Sequence, residues 1–171
     1  MALRFEELIE RHHDEIFAYV WRLLASDRSS DRKTEAEDLV QEVYLRAYRN
    51  FTRLRVNTNH RAWLYKIATN CAYSRLRQIQ DGRGKAAALA SAAAAFGGAS
   101  DISASHGQID RRLRFLVNQL PDRQKACVTL RYLQDLDYPE IAQALGCSQE
   151  SARANVYQAI RRLRLALEEK R

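Results

Sequence analysis

Hydrophobic positions recur at the three- and four-residue spacing of amphipathic helices along most of the chain. Near the N-terminus the recurring positions are Phe5, Leu8, Ile9, His12, Ile16, Tyr19, Val20 and Leu23. The alternating pattern of a half-buried strand is absent, and only two prolines occur, at positions 121 and 139. The pattern therefore predicts an all-α protein.

Polar residues mark the starts of the next two helices in the first half of the chain. Thr34 followed by Glu37 has the form of a capping box, which predicts a helix to about Asn50. Asn59 can accept a hydrogen bond from the first turn of a third helix, which we expect to continue to about Gln80.

The second half of the chain has shorter helical segments. An apolar stripe of Leu113, Leu116, Val117 and Leu120 precedes Pro121, which ends that helix and opens the next, to about Leu133. Residues 137–140 again have the capping-box form, and Gly146 suits the left-handed residue that ends a short helix. Ser148 then caps a long helix over residues 149–168. A short helix, a glycine-containing turn and a long second helix are typical of a helix-turn-helix.

The long second helix of this motif carries side chains suited to DNA. We expect Ile141, Ala142, Leu145, Val156, Ile160 and Leu163 to form the core, which leaves these outward: Gln149, Arg153, Asn155, Tyr157, Gln158, Arg161 and Arg162. Arg can pair with guanine, and Asn or Gln with adenine, in a bidentate manner, whereas the later arginines suit phosphates. The alternative is an ordinary helical hairpin with a solvated arginine face.

Composition divides the chain into two parts. Five of the six glycines fall between residues 81 and 110, together with an Ala/Ser-rich run that has almost no large apolar side chain. We therefore predict two small helical domains, 1–80 and 111–171, joined by a flexible linker over 81–110.

The net charge of +7 is distributed unevenly among these parts. Residues 1–39 have a net charge of −4, residues 40–80 of +7, and residues 111–171 of +5. Two basic blocks favour two contacts with a polyanion, although arginines on solvated helix faces give the same count.

The sequence offers little for other chemistry. It has no apolar run long enough for a membrane helix and no signal-peptide core, which predicts a cytoplasmic protein without membrane insertion. Its three cysteines lack metal-ligand spacing, and no phosphate-binding loop or catalytic set of residues is found. We accordingly expect no enzyme activity, no metal and no cofactor.

Two stretches together resemble extracytoplasmic-function sigma factors of bacterial RNA polymerase. Residues 36–51 (AEDLVQEVYLRAYRNF) and 61–70 (RAWLYKIATN) look like region 2 of that family. Residues 120–124 (LPDRQ), 130–133 (LRYL) and 138–142 (YPEIA) resemble region 4. The order and spacing match the family, in which a linker separates the two regions.

The resemblance implies partners for each region. Region 2 would bind the clamp helices of core RNA polymerase through Asp38, Gln41 and Glu42, and would melt and read the −10 promoter element. Region 4 would sit on the polymerase flap and read the −35 element with its recognition helix. The family also implies an anti-sigma factor that holds or separates the two domains.

Single-stranded DNA requires a basic groove with aromatic or amide side chains, and residues 46–77 supply both. The candidate −10 contacts are Leu54, Arg61, Trp63, Lys66, Asn70 and Arg75. The resemblance implies that Asn70 helps to hold a flipped base, with Trp63 close by, although Trp63 equally fits a core tryptophan.

The sequence departs from the family at two places. Leu54 replaces a frequent aromatic residue, which weakens the case for stacking from this loop. Asn155 and Gln158 replace basic residues in the recognition helix, whereas Arg153 is retained. We therefore predict a −35 preference weighted toward adenine. There are two alternative functions. One is a stand-alone helix-turn-helix regulator that binds duplex DNA, and the other is a sigma-like mimic that only sequesters an anti-sigma factor.

Overall fold

The computed structural model describes residues 4–24, 32–55, 57–89 and 106–168. These residues form seven α-helices and no strand, in agreement with the predicted all-α class. The helices are α1 (Phe5–Leu23), α2 (Arg32–Phe51), α3 (His60–Leu89), α4 (His106–Asn118), α5 (Asp122–Tyr132), α6 (Tyr138–Leu145) and α7 (Gln149–Glu168).

Local capping explains where several helices begin and end. The Asn59 carboxamide oxygen accepts from the Ala62 N–H at 3.0 Å, as the sequence predicts for the start of α3. Residues 137 and 140 form both hydrogen bonds of a capping box at α6, and Gly146 ends that helix in the left-handed conformation, with φ 61°. Ser148 Oγ accepts from the backbone N–H of Ser151 at the start of α7. The predicted helix-turn-helix is therefore confirmed.

Two helix boundaries differ from the sequence prediction. The capping box at Thr34 is wrong, because α2 already begins at Arg32 and Glu37 pairs with Lys33 at 3.8 Å. Helix α3 continues to Leu89, beyond the expected end near Gln80, since alanines favour the helix. The predicted flexible linker is thus helical over residues 81–89 and 106–110, and its remainder lies outside the described residues.

One apolar core runs through both parts of the chain. The core residues of the first part come from α1, α2 and α3, and include the fully buried Tyr19, Leu64 and Tyr65. Helices α5, α6 and α7, with the loop between α5 and α6, contribute to the same cluster Ala126, Cys127, Leu130, Leu136, Ile141, Ala144, Ala152 and Val156. Helix α3 packs against α6, and α1 against α5. The two parts therefore lie against each other in a closed arrangement.

Candidate nucleic-acid and polymerase interfaces

The basic face of α3 opens onto a cleft between the two parts of the chain. The cleft has a volume of about 370 Å³ and is lined by Lys66, Thr69, Asn70, Tyr73, Arg77, Gln80, Asp122, Arg123, Ala144 and Leu145. Lys66 and Asn70 are exposed, whereas the walls opposite them come from α5 and α6. Two of the predicted −10 residues are therefore together in a polar cleft that the second half of the chain partly covers.

Arg61 is held in a polar network in the closed arrangement. Its Nη2 donates to Glu15 Oε2 at 2.8 Å and to the Gln134 carbonyl oxygen at 2.6 Å. Tyr65 Oη lies within hydrogen-bond distance of two acceptors, Glu15 Oε2 at 3.1 Å and Gln134 Oε1 at 3.0 Å, and its single proton is shared between them. The hydrogen bonds to Glu15 raise the Arg61 pKa further above its ordinary value. Arg61 thus stabilises the protein itself, besides being a candidate DNA contact.

The other predicted −10 residues lie in three different surroundings. Arg75 Nε donates to Glu35 at 2.8 Å, which joins α3 to α2. Trp63 is half-buried and packs against the core, in keeping with the interpretation as a core tryptophan. Leu54 is half-buried in the turn after α2. The structure therefore brings together Lys66 and Asn70 and leaves the other four residues outside the lining of the cleft.

The predicted polymerase-binding residues form one exposed face of α2. Asp38 and Gln41 are exposed, and Glu42 is half-buried and paired with Arg46 one turn later. Leu45 and Tyr48 continue the same face at three- and four-residue steps, with exposures of 59% and 64%. We call these five residues, Asp38, Gln41, Glu42, Leu45 and Tyr48, the α2 face. Sequence reasoning missed its two apolar members, although their helical spacing from Gln41 was visible.

The outward residues of the recognition helix α7 are mostly where the sequence predicts them. Exposed side chains are Gln149, Arg153, Tyr157, Gln158, Arg161 and Arg162, while Asn155 is half-buried. Tyr157 is 69% exposed. Among the six predicted core positions of the motif, Leu145 and Ile160 are only partly buried and pack at the edge of the core. The exposed side of α7 therefore presents cations, amides and one aromatic ring.

A single aromatic ring lies beside two guanidinium groups at this motif. The Arg131 and Arg153 guanidinium carbons lie 5.0 and 5.2 Å from the centre of the Tyr138 ring. Arg131 also donates to the Leu136 carbonyl oxygen at 2.9 Å. No carboxylate within the described part of the chain forms a salt bridge with either arginine. Tyr138 thus positions two cations on the side of the motif that includes the start of α7.

Three further hydrogen bonds join the two parts of the chain. Asn59 Nδ2 donates to Glu140 Oε1 at 3.0 Å, and Tyr73 Oη donates to the Asp122 carbonyl oxygen at 3.0 Å. Lys125 is 3% exposed, and its Nζ donates to the Leu23 carbonyl oxygen at 2.9 Å. These contacts close the molecule over the α3 cleft. No sequence signal identifies them, because the paired residues are 49 to 102 positions apart.

The described ranges contain neither a metal site nor a membrane-spanning helix. No group of three or more His, Cys, Asp or Glu side chains there could hold a metal ion. None of the seven helices, as far as the structure describes them, is long and apolar enough to cross a membrane.

Comparison with protein families gives two matches in the order that the sequence suggests. Residues 8–81 match the family model "Sigma-70 region 2", and residues 110–163 match "Sigma-70, region 4". The two matches together cover about three quarters of the chain.

Curated relatives and solved structures agree with these matches. The chain is 25% identical over 171 residues to the "ECF RNA polymerase sigma factor SigW" of Bacillus subtilis (strain 168), covering 95% of this chain and 88% of that protein. It is 29% identical over 165 residues to the "ECF RNA polymerase sigma-E factor" of Escherichia coli (strain K12), covering 91% and 82%.

Two solved complexes share the fold. The sigma factor RpoE of Bartonella quintana, solved with the anti-sigma factor NepR, superposes with a TM-score of 0.72 at 22% identity, covering 98% of each chain. CnrH, solved with the cytosolic domain of CnrY, gives a TM-score of 0.67 at 18% identity, covering 98% of this chain and 89% of that one.

Proposed function

Because the chain belongs to the extracytoplasmic-function class of the sigma-70 family, we propose that it binds core RNA polymerase and directs it to promoters through the −10 and −35 elements. The family consists of transcription initiation factors, and we propose that this member catalyses no reaction of its own. The observation that carries the proposal is the presence, in family order, of an exposed α2 face, a basic α3 cleft and a basic recognition helix. A stand-alone DNA-binding regulator would need only the last of these.

The α2 face is proposed as the docking surface for the polymerase clamp helices. Its Asp38, Gln41 and Glu42 supply charge and hydrogen bonds, and Leu45 and Tyr48 supply apolar area next to them. Exposed tyrosines beside polar groups are frequent anchors of protein interfaces. The pairing of Glu42 with Arg46 is solvent-accessible and contributes little stability, so that a partner's cation can replace it.

Lys66 and Asn70 are proposed to contact the melted −10 strand, with Arg61, Trp63, Leu54 and Arg75 at its margins. An amide and an ammonium at a cleft suit an unstacked base and its phosphate. The walls from α5 and α6 occupy the space in front of these residues, so the cleft must open before a strand enters. The region 2 and region 4 domains, 1–80 and 111–171, are proposed to be the two units that separate.

Promoter geometry requires the same separation. The −10 and −35 elements lie about 25 base pairs apart, which is roughly 85 Å of B-form DNA at about 3.4 Å per base pair. A compact chain of 171 residues has a radius of gyration of about 16 Å. The closed molecule therefore cannot reach both elements at once. We propose that residues 81–110 act as the tether when the two domains bind separately.

Reconstitution with core polymerase tests the proposal. Purified chain and bacterial core RNA polymerase are expected to form a stable complex that produces transcripts from specific promoter fragments. The chain without core enzyme, and core enzyme without the chain, serve as controls. Duplex binding by the chain alone, with no complex and no specific transcript, would favour the stand-alone regulator instead.

Variants of the α2 face test the docking surface. Asp38→Ala with Glu42→Ala, and separately Tyr48→Ala, should each weaken core binding about tenfold, because contacts at the centre of an interface cost 1–2 kcal/mol or more. Glu10→Ala, which removes an exposed acid from α1, is the matched control and should bind like the wild type. Unchanged affinity in both α2-face variants would remove this surface from the proposal.

The cellular partners follow from the same proposal. We propose that the protein acts in the cytoplasm, where RNA polymerase and the promoter DNA are found. An anti-sigma factor that holds the two domains closed is the proposed regulatory partner, since the RpoE neighbour was solved in complex with an anti-sigma factor.

A further inference from the structure

Asn155 and Gln158, two amide side chains on the recognition helix, each make a hydrogen bond within the protein through one end of the amide. Asn155 Nδ2 donates to the Ser151 carbonyl oxygen at 2.8 Å and lies 3.5 Å from the Ser151 hydroxyl. Gln158 Oε1 accepts from Gln124 Nε2 at 3.0 Å. The nitrogen of Asn155 and the oxygen of Gln158 are therefore engaged, which leaves the opposite end of each amide available.

Breaking the hydrogen bond between Gln124 and Gln158 would be energetically unfavourable. The side chain is on α5 with 6% exposure, and its Oε1 is buried without a hydrogen-bond partner in the described part of the chain. A second unpaired polar atom on the same buried amide would add a further desolvation cost. Gln124 thus fixes the orientation of the Gln158 side chain, although Gln124 itself is buried and does not face the DNA.

We propose that Gln124 is a specificity-determining residue, which sets the hydrogen-bonding polarity of Gln158 toward the −35 duplex. This inference rests on the proposed function and refines it. With its amide held through the oxygen, Gln158 turns its amide nitrogen toward the groove and selects base-edge acceptors, which are guanine O6 and N7, adenine N7 and thymine O4. Asn155 presents its oxygen and selects donors, which are adenine N6 and cytosine N4.

This pairing differs from a bidentate reading of adenine by either amide. A bidentate contact requires a donor and an acceptor from the same side chain. Because Asn155 and Gln158 are three residues apart on one helix face, they face neighbouring positions of the groove. The recognition helix is therefore expected to combine one acceptor and one donor from two side chains.

The test uses holoenzyme made from the full chain and core RNA polymerase. Promoter fragments with a randomised −35 segment are selected for binding to the holoenzyme. The base pair that Gln158 reads is the one at which the Gln158→Met variant no longer shows the sequence preference of the wild type. At that base pair we expect the wild type to prefer acceptor edges about two- to tenfold, as for one neutral hydrogen bond. Gln124→Met should reduce this preference to within about twofold.

Control measurements separate positioning from general damage. In Gln124→Met the preference at the Asn155 base pair and the slope of affinity against salt concentration should stay at the wild-type values. The matched control is Gln119→Met, which changes an exposed glutamine just before α5. It should alter neither the preference at the Gln158 base pair nor that at the Asn155 base pair.

A second variant keeps the proposal testable if Gln124→Met does not fold. Gln158→Glu can still accept from Gln124 with one oxygen and present the other outward, so the preference at this base pair should change from acceptor to donor edges. An unchanged preference in Gln124→Met or in Gln158→Glu overturns the inference. If wild-type holoenzyme selects no −35 sequence, the proposed function itself fails, and this inference with it.

Discussion

Glu15 accepts hydrogen bonds from three side chains, His12, Arg61 and Tyr65. Burial acts to raise the pKa of this carboxyl group, but the hydrogen bonds outweigh it and the net pKa is below the ordinary value of 4.5. A lowered pKa in the folded state means that Glu15 contributes stability above pH 4.5, and that this contribution is lost as the pH falls through the folded-state pKa.

We therefore predict that Glu15→Gln lowers the free energy of unfolding at pH 7 by about 1–3 kcal/mol, the range for hydrogen bonds to a charged group. Urea titration measures the change, and Glu10→Gln, at an exposed position of the same helix, should shift it by less than about 0.5 kcal/mol. The difference between Glu15→Gln and wild type should shrink as the pH is lowered below 4.5. A difference that is constant from pH 7 to pH 3 would contradict the assignment.

The Tyr138 ring beside Arg131 and Arg153 gives a second prediction for a single residue. Tyr138→Leu should weaken binding of holoenzyme to −35 duplex about two- to fivefold, because it removes a cation–π contact of about 0.5–1 kcal/mol that positions the arginines. Tyr138→Phe retains the ring and should bind like the wild type. Equal losses in the two variants, measured by competition with labelled duplex, would assign the effect to the hydroxyl group instead.

At the scale of the helices, two glycines have opposite expected effects. Gly146 has φ 61° at the end of α6, where any other residue would be strained, whereas Gly82 is exposed within α3 with open space around it. Gly146→Ala should lower the free energy of unfolding by about 1–2 kcal/mol. Gly82→Ala should raise it by about 0.4–1 kcal/mol, since alanine loses less backbone entropy in a helix. Thermal unfolding of both variants checks the signs, and a shift in the same direction for both would refute this prediction.

The sequence predicted those elements whose signals are local. The caps at Asn59, Ser148 and the 137–140 box involve atoms within three residues of one another, so their form is visible in the sequence. The expected box at Thr34 failed because α2 already begins at Arg32, so that Thr34 lies within the first turn and not at the N-cap. Helix α3 continues past the glycines near residue 82, because the alanines that follow them have the highest helix propensity.

The sequence predicts which candidate site residues are exposed, but it does not predict which side chains they contact. Exposed positions of α2 and α7 follow from helical periodicity, and most of them are exposed in the structure. The engagement of Arg61 by Glu15 and Gln134 could not be predicted, because it joins residues 46 and 73 positions away. The same holds for Gln124 beneath Gln158, where 34 residues separate two amides that carry no pairing signal of their own.

For the whole molecule, Cys127 can report whether the two proposed domains are in contact. Burial raises the pKa of this thiol to about 12. It lies near Tyr19 and Tyr73 of the first part of the chain, whose pKa values are also raised, mainly by their own burial. A buried, protonated thiol reacts slowly with maleimides. Separation of the domains should expose Cys127, whereas Cys71, which is buried beside α2, keeps its surroundings.

We predict that Tyr73→Phe, which removes the hydrogen bond to the Asp122 carbonyl, increases maleimide labelling of Cys127 about fivefold, as expected when an interface loses about 1 kcal/mol. Peptide mass spectrometry follows each cysteine separately, and Cys71 should label at the wild-type rate. Tyr48→Phe, at an exposed tyrosine far from the Asp122 carbonyl, is the control. Addition of core polymerase to wild type should increase Cys127 labelling further, and protection of Cys127 in that complex would contradict domain separation.

The buried ammonium group of Lys125 affects the rate at which the two proposed domains can separate. Its bond to the last turn of α1 favours the arrangement in which the two parts of the chain lie against each other, because a buried cation must keep hydrogen-bond acceptors. As soon as a gap admits water, the same group regains hydration, whereas the apolar side chains of the shared core gain nothing from contact with water. We expect the transition state for separation to be stabilised by this early hydration. We therefore expect the same side chain to favour the closed form and to lower the barrier to its opening.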